Sequence, residues 1–344
     1  MSWDKVMPAQ PVVAVAGATG AVGIEMLNVL DQRGFPASRV IALASSRSAG
    51  RTLPFAGGEL VVEEMTESSF DGVDIALFSA GASVAKAMAP AAKAAGCTII
   101  DNSSAFRMDA DVPLVVPEVN PGDVEWHSGI IANPNCSTIQ MVVVLKALAD
   151  LAPIERVVVS TYQAASGAGQ AAMDELYSQS GDFLAGRELE PKEFAHRIAF
   201  NCIPQIDVFL DDGSTKEEWK MVVETKKIMH DDALRVAATC VRVPVLRCHS
   251  EALSIEFAEA VSPEQARVAL SAASGVTVVD ERDEQMYPMP ALLEGTDDCY
   301  VGRIRADESV RHGLQLWIVA DQLRKGAALN AVQIAELLLP NSPS

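Results

Sequence analysis

Residues 11–34, PVVAVAGATGAVGIEMLNVLDQRG, join an apolar run, a glycine-rich turn and a helical repeat without interruption. Residues 12–15 are short, apolar and rich in β-branched side chains, which suits a strand buried on both faces. The turn Gly17-Ala-Thr-Gly20-Ala-Val-Gly23 follows at once. Ile24, Leu27 and Leu30 then recur at helical spacing, and Gly34 falls where a C-cap belongs. Residues 40–44, 75–78 and 98–100 read as further buried strands, with an Ala-rich helix over 83–95. Strands alternating with helices predict an α/β fold, a doubly wound parallel sheet of the Rossmann-like, dinucleotide-binding kind.

After about residue 136 the pattern changes. A long apolar helix is expected over 138–151, capped by Ser137 or Thr138, then a strand over 154–162. Residues 173–177 look helical, 181–212 irregular, and 216–230 form a charged helix. Residues 237–245 and 252–258 alternate like strands with one solvated face, and 328–339 form a last helix ended by Pro340. The domain boundary is placed near residue 135. The length of 344 residues independently favours two domains.

Charge narrows the partners. Lys plus Arg is 27 and Asp plus Glu is 46, a net charge of −19. Such a chain repels nucleic acid and anionic membranes, and no Lys/Arg run offsets this. An anionic ligand must be held by individually placed cations, so each Arg inside a motif is informative. No stretch reaches the ~18 apolar residues of a membrane span, and the N-terminus lacks the apolar core of a signal peptide. The cysteines, Cys97, Cys136, Cys202, Cys240, Cys248 and Cys299, form no CxxC pair and offer no metal-ligand spacing. They read as free thiols of a cytoplasmic protein.

The glycine turn lets backbone amides approach a pyrophosphate at the positive end of a helix. Its spacing is GxxGxxG, and by itself it also fits a glycine-rich turn with no nucleotide. The second strand adds information. NAD-specific folds carry an acid about 20 residues on, to bind the ribose 2′-hydroxyl. Here Ser45-Ser46-Arg47-Ser48 stands instead, a guanidinium with hydroxyls that suits a 2′-phosphate and favours NADP. An ordinary polar turn is the alternative. Cys136 lies in NPNCST, 133–138, just before the long helix, where amides and helix dipole favour a thiolate. Among the histidines His249, beside the strands, is the best partner for such a nucleophile.

The segments GATGAVG, DNSSAFRM (101–108), VPEVN (116–120), NPNCST, STYQAASGAG (160–169), KEEWK (216–220), ATCVRVPV (238–245), CHSE (248–251) and GAALNAVQIAE (326–336) occur in this order. Across nearly its whole length the chain thereby resembles the bacterial type of aspartate-semialdehyde dehydrogenase. That family reduces L-aspartyl 4-phosphate to the 4-semialdehyde with NADPH, reversibly, in the synthesis of lysine, diaminopimelate, threonine, methionine and isoleucine. The resemblance implies that Cys136 is the nucleophile that forms a thioester, His249 the acid/base and Gln163 a neighbour of the reacting carbon. It implies Arg107, Asn135 and Lys220 at phosphate and substrate, Arg242 at the α-carboxylate and Glu217 at the ammonium. Gly17, Thr19, Gly20, Ala21, Val22 and Gly23, the 45–48 turn, Ser166, Gly167 and Asn330 would contact the cofactor, and no metal is implied. It also implies that helix 328–344 completes the first domain, 1–135. The second, 136–327, would be an α+β catalytic and dimerisation domain, making a homodimer.

Two rivals remain at this stage. N-acetyl-glutamyl-phosphate reductase shares the fold and thioester chemistry, but its acylated amine leaves Glu217 nothing to bind. A non-catalytic paralogue would lack the cysteine or the histidine, and both are present.

Overall fold

The structure is a computed structural model that describes Trp3 and residues 5–340. The chain divides into two compact units, Met1–Asn135 with Ala327–Ser344, and Cys136–Gly326. Residues 341–344 of the expected first-domain helix lie outside the described residues. Among the described residues, no helix is long and apolar enough to cross a membrane.

In the first unit, β1 (Val12–Ala16), β2 (Arg39–Ala44), β3 (Thr52–Phe55), β4 (Gly58–Glu64), β5 (Ile75–Phe78), β6 (Thr98–Asp101) and β7 (Ile130–Ala132) form one sheet. Its order is β3-β4-β2-β1-β5-β6-β7. All pairs are parallel except the β3–β4 hairpin. The central strands are buried on both faces, which explains their unbroken apolar runs. Helices α1 (Ala21–Gln32) and α2 (Ala82–Ala94) belong to this unit, as does the C-terminal helix Leu329–Leu337. That last helix adds Leu329, Val332 and Ile334 to the core around β1. Leu27 and Leu30 are buried as the helical repeat implies, but Ile24 is exposed, and Met26 and Val29 fill the core instead.

In the second unit, β8 (Ile154–Gln163), β9 (Arg235–Arg242), β10 (His249–Phe257), β11 (Val276–Val278), β12 (Cys299–Asp307) and β13 (Gly313–Ala320) form a mixed sheet. Its order is β11-β12-β13-β10-β8-β9. Helices α3 (Cys136–Ala149), α4 (Gln170–Leu184), α5 (Lys216–Met229) and α6 (Pro263–Ala272) complete it, with α3 against α5, α6 and the sheet. Alternate residues of β8 (Val157, Val159, Thr161, Gln163) point into the core, as do Glu251, Leu253 and Ile255 of β10.

Several boundaries differ from the sequence reading, among them the strands expected over 237–245 and 252–258, which are Arg235–Arg242 and His249–Phe257. Helix α3 starts at Cys136, so Ser137 and Thr138 are helical and neither caps it. Helix α4 runs to Leu184, through Gly181, because Leu176 and Gln179 anchor one face in the core. The last helix begins with a π-helical turn, Arg324–Ala328, whose wider winding no 3.6-residue periodicity reveals.

Candidate active site

Topology gathers the candidate residues of the second unit. β8 and β9 are parallel and end in register, with Gln163 opposite Arg242. β10 runs antiparallel to β8, so its first residue, His249, starts at the end where β8 finishes. Cys136 is the first residue of α3, where unpaired amides favour a thiolate. Gly326 packs so closely on it that a Cβ there would lie 2.9 Å from the Cys136 Cβ.

Glu217 is the hub. It sits in the first turn of α5 and is buried. Its Oε1 accepts from Gln163 Nε2 at 3.0 Å and from Ser137 Oγ at 3.5 Å, and its Oε2 from Lys220 Nζ at 3.2 Å. Lys220 also donates to Asp207 Oδ2 at 2.8 Å. Burial works against the Asp207 carboxylate, but Lys220 outweighs it and holds that pKa low. As an i, i+3 pair Glu217 and Lys220 could have been a solvated helix face. Instead the Glu217 side chain is 5 % exposed and that of Lys220 13 %.

The Arg242 guanidinium is buried and donates from Nη1 to the Ala164 carbonyl at 2.5 Å. Burial pushes its pKa down, opposed by Glu217 and the Cys136 sulfur nearby. The N–H of the same Ala164 donates to His249 Nδ1 at 3.0 Å. A neutral imidazole whose Nδ1 accepts must carry its proton on Nε2. Nε2 is buried and bonded to no protein atom. Burial, and then the Arg242 charge, hold the His249 pKa well below its ordinary value. Gly167 adjoins both groups: a Cβ there would lie 2.8 Å from Arg242 Nη1 and 3.1 Å from His249 Nε2. Ser166 is buried, and its Oγ accepts from Gln322 Nε2. Gln322 Oε1 in turn accepts the Cys248 N–H at 2.8 Å. Cys248, just before His249, is held at φ +73°, a left-handed conformation costly for a non-glycine residue.

One layer behind lie groups the sequence reading missed. Thr161 is opposite Glu251 and opposite Cys240 in register. Each is two residues from a front-layer strand residue and so shares its face. Gln140, four residues after Cys136, adds the helix's counterpart. Glu251 is fully buried, and neither carboxyl oxygen makes a hydrogen bond. Burial raises its pKa well above the ordinary value, and Glu217 adds to this while Gln140 partly offsets it. Its i+2 spacing from His249 on a strand was the available signal, as was the i+4 spacing of Gln140 from Cys136.

The first unit carries the nucleotide features. Gly17 is left-handed, φ +87°, and its N–H donates to the Leu43 carbonyl of β2 at 2.8 Å. A Cβ on Gly23 would lie 2.1 Å from the Gly17 carbonyl oxygen, so only glycine lets the first turn of α1 seat on the loop. Gly20, the N-cap, supplies no capping side chain, and Ala21, Val22 and Gly23 open the helix. Thr19 is half-buried. Ser45, Ser46 and Arg47 are exposed in the turn that ends β2, the strand beside β1, and Ser48 closes the turn by donating to the Ser45 carbonyl at 2.8 Å. Arg107, on the loop after β6, is buried and donates to the Asn102 carbonyl at 3.0 Å; Asn135 is buried. Asn330 is fully buried, and its Nδ2 donates to Val115 O at 3.0 Å and to Asn133 Oδ1 at 2.6 Å, which braces the NPN segment.

Two family models account for these units. The semialdehyde dehydrogenase NAD binding domain matches residues 12–127, and the semialdehyde dehydrogenase dimerisation domain matches residues 145–325. The fold and site are thus those of a semialdehyde dehydrogenase, an NAD-binding-domain oxidoreductase. An aspartate-semialdehyde dehydrogenase of Aquifex aeolicus is 56% identical, over 95% of this chain and 97% of that one. The crystal structure of aspartate semialdehyde dehydrogenase II complexed with ASA from Vibrio cholerae superposes with a TM-score of 0.94 at 49% identity, over 97% of this chain and 99% of that one. A Candida albicans aspartate semialdehyde dehydrogenase with NADP gives a TM-score of 0.74 at 26% identity, over 96% and 98%. The chain belongs to the aspartate-semialdehyde dehydrogenase family. This sets aside both rivals.

Proposed function

We propose that this protein interconverts aspartate 4-semialdehyde and aspartyl 4-phosphate, with NADP and inorganic phosphate, through a thioester on Cys136. The observation that carries the reading is the buried charge pattern of the second unit: the Glu217 carboxylate, tied to Gln163 and to the turn holding Cys136, with Arg242 beside it. An amino acid presents an ammonium and an α-carboxylate, which this pair matches, Arg242 with its planar fork. In the oxidative direction the Cys136 thiolate attacks the aldehyde carbon. Gln163 positions the intermediate without adding charge. His249 is the acid/base of this reading. Arg107, Asn135 and Lys220 are the phosphate and substrate ligands of this reading.

The nucleotide would sit at the head of α1, on a turn that Gly17 and Gly23 let close, since a Cβ on either would strike backbone of the loop or of Ser79. When bound, NADP accepts hydride from the reacting carbon. Thr19, Gly20, Ala21 and Val22 would line its pyrophosphate, Arg47 with Ser45, Ser46 and Ser48 its 2′-phosphate, and Ser166 and Gly167 its nicotinamide end. We read Met1–Asn135 with the C-terminal helix as the NADP-binding domain and Cys136–Gly326 as the catalytic one. The second domain also makes a homodimer in this reading. The sheet face opposite Gln163 supports this: Tyr162 stacks obliquely on Trp317 there, 5.4 Å between rings, and both are at least partly exposed. The enzyme is placed in the cytoplasm, supplying the lysine, diaminopimelate, threonine, methionine and isoleucine routes. Purified protein should form NADPH from aspartate semialdehyde only when phosphate is added. No phosphate-dependent NADPH would refute the function.

A further inference from the structure

Arg242 is held by more than its own strand. We propose that Phe194 is a positioning residue for the α-carboxylate subsite: its ring, facing the Arg242 guanidinium, fixes the plane in which that fork meets the substrate carboxylate. This rests on the reading of Arg242 given above.

Three observations lead here. First, the guanidinium carbon of Arg242 stands over the Phe194 ring, 5.9 Å from its centre, within reach of a cation–π contact. The donors of a guanidinium all lie in its plane, so an aromatic neighbour orients the group without consuming any of them. A hydrogen-bonded brace would use up the fork, and Nη1 already gives to the Ala164 carbonyl. Second, Phe194 is carried by a stretch without regular structure that is nevertheless gripped on both sides of the ring. Glu175 and Gln179, four residues apart on α4, are both buried. Glu175 accepts the N–H of Lys192 at 3.2 Å and that of Glu193 at 2.5 Å. Gln179 Oε1 accepts the N–H of Ile198 at 2.9 Å and that of Ala199 at 3.2 Å. Gln179 Nε2 donates to Glu175 Oε1 at 2.7 Å, which joins the two grips. The ring also packs on the cluster of Ala165, Leu176, Ile198 and Ile203. Third, the same stretch pairs with the Arg242 backbone. The Arg242 N–H donates to the Ile203 carbonyl and the Ile203 N–H to the Arg242 carbonyl, each at 2.9 Å. One segment thus meets Arg242 at its backbone and at its charged end.

The strand alone cannot do this. β9 fixes the Arg242 backbone, but the long side chain beyond it could still rotate. Bidentate recognition needs guanidinium and carboxylate in a matched plane. An aromatic ring against the guanidinium restricts the settings of that plane and sheds water from the group, which strengthens the charge the substrate meets. The contact belongs to Arg242 and to none of the groups assigned to the aldehyde carbon. Its loss therefore falls on the end of the substrate that bears the carboxylate.

The test compares kcat/KM of the full-length enzyme for aspartate 4-semialdehyde and for 3-aminopropanal, the same amino aldehyde without its α-carboxylate, with NADP and phosphate saturating. Phe194→Ala should lower the value for the semialdehyde about 5- to 30-fold, mainly through KM, the scale of a desolvated cation–π contact. For 3-aminopropanal it should change by less than about twofold. Phe194→Leu keeps an apolar side chain against Ala165 and Leu176 but has no π face, and should lose as much as the alanine variant while melting near the wild-type temperature. Phe194→Tyr keeps the face and should recover KM to within about threefold of wild type. A leucine variant with the wild-type KM overturns the proposal, because apolar filling would then suffice. A loss equal for the two aldehydes overturns it as well, since a merely structural role would act on both. Failure of the parent reading looks different: Arg242→Ala would then leave the wild-type preference for the carboxylate-bearing aldehyde intact, and the proposal falls with it.

Discussion

Gly167→Ala is the most direct probe of the packing that holds Arg242 and His249 together. Gly167 lies in the single turn Ala165–Ala168 and needs no left-handed conformation, so alanine brings no backbone strain. Its Cβ would, however, stand 2.8 Å from Arg242 Nη1. Ordinary contact begins near 3.5 Å. The guanidinium must therefore move by about 0.7 Å, or the turn must move by as much. Neither moves freely. Arg242 is buried and bonded to Ala164, and His249, 3.1 Å from the same Cβ, is bonded to the other end of that residue. Misplacing a positioned group by about 1 Å costs on the order of 10²-fold in rate. Overpacking of this kind destabilises by about 1–3 kcal/mol. Gly167→Ala should then lower kcat/KM for aspartate semialdehyde roughly 10²-fold, with part of the loss in KM if Arg242 holds the carboxylate as proposed. Gly181→Ala, in α4 with nothing within 4 Å of the new Cβ, is the control and should be neutral or stabilising by up to about 1 kcal/mol. Steady-state kinetics and thermal melting decide the matter. A Gly167→Ala enzyme within about threefold of wild type would show that the corner yields and that its geometry is not tightly set.

Cys136→Ser should lose nearly all turnover while binding NADP with unchanged affinity in a fluorescence titration; substantial turnover would remove Cys136 as nucleophile. Arg47→Ala should raise KM for NADPH about tenfold, the scale of one charge-assisted hydrogen bond at an exposed site, and leave NADH little affected. Equal effects on the two would mean Arg47 does not read the 2′-phosphate. Glu251 is held protonated in the fold above its ordinary pKa of 4.5, so folding loses stability as pH rises from there towards the raised value. Glu251→Gln has no proton to lose, and its stability relative to wild type should grow by about 1.4 kcal/mol per pH unit across that window, read by denaturant melts at several pH values. A constant difference between the two proteins would mean that Glu251 ionises normally.

Much of the first unit was readable because its strands are buried on both faces. Their apolar runs and the glycine turn then carry the signal with little interference, as at β1 and α1. The β3–β4 hairpin was not readable, since an edge hairpin alternates weakly and breaks the βα rhythm. In the second unit the irregular stretch hid the end of α4, and strands β12 and β13 went unnoticed. The candidate residues could be named from their motifs, but not their wiring. Glu217 and Lys220 have the spacing of a surface pair, and only the packing of α5 buries them. Nothing in the sequence at Ala164 says that its peptide is shared by His249 and Arg242, because a backbone group leaves no mark on composition. Asn330 is similar: the sequence does not show that its amide bridges Val115 and Asn133.

The net charge of −19 sharpens the meaning of these contacts. A protein this acidic offers no general attraction to an anionic substrate, phosphate or dinucleotide, so recognition depends on short-range, desolvated cations. Arg242 and Lys220 are built that way, each beside Glu217, which keeps a positive charge tolerable in the core before any substrate arrives. In the proposed reading the same carboxylate would then serve the substrate ammonium, so that binding re-pairs charges already present. That arrangement limits how many further charges the corner can hold. Burial, with Glu217 adding to it, raises the Glu251 pKa, and burial, with Arg242 adding to it, lowers that of His249. The buried groups that lack a counter-charge are thus the ones whose charged forms are disfavoured. Burial first, and the Arg242 charge second, disfavour a cation on His249, so under the proposed reading the cation assigned to the carboxylate also bears on the charge its neighbour can carry.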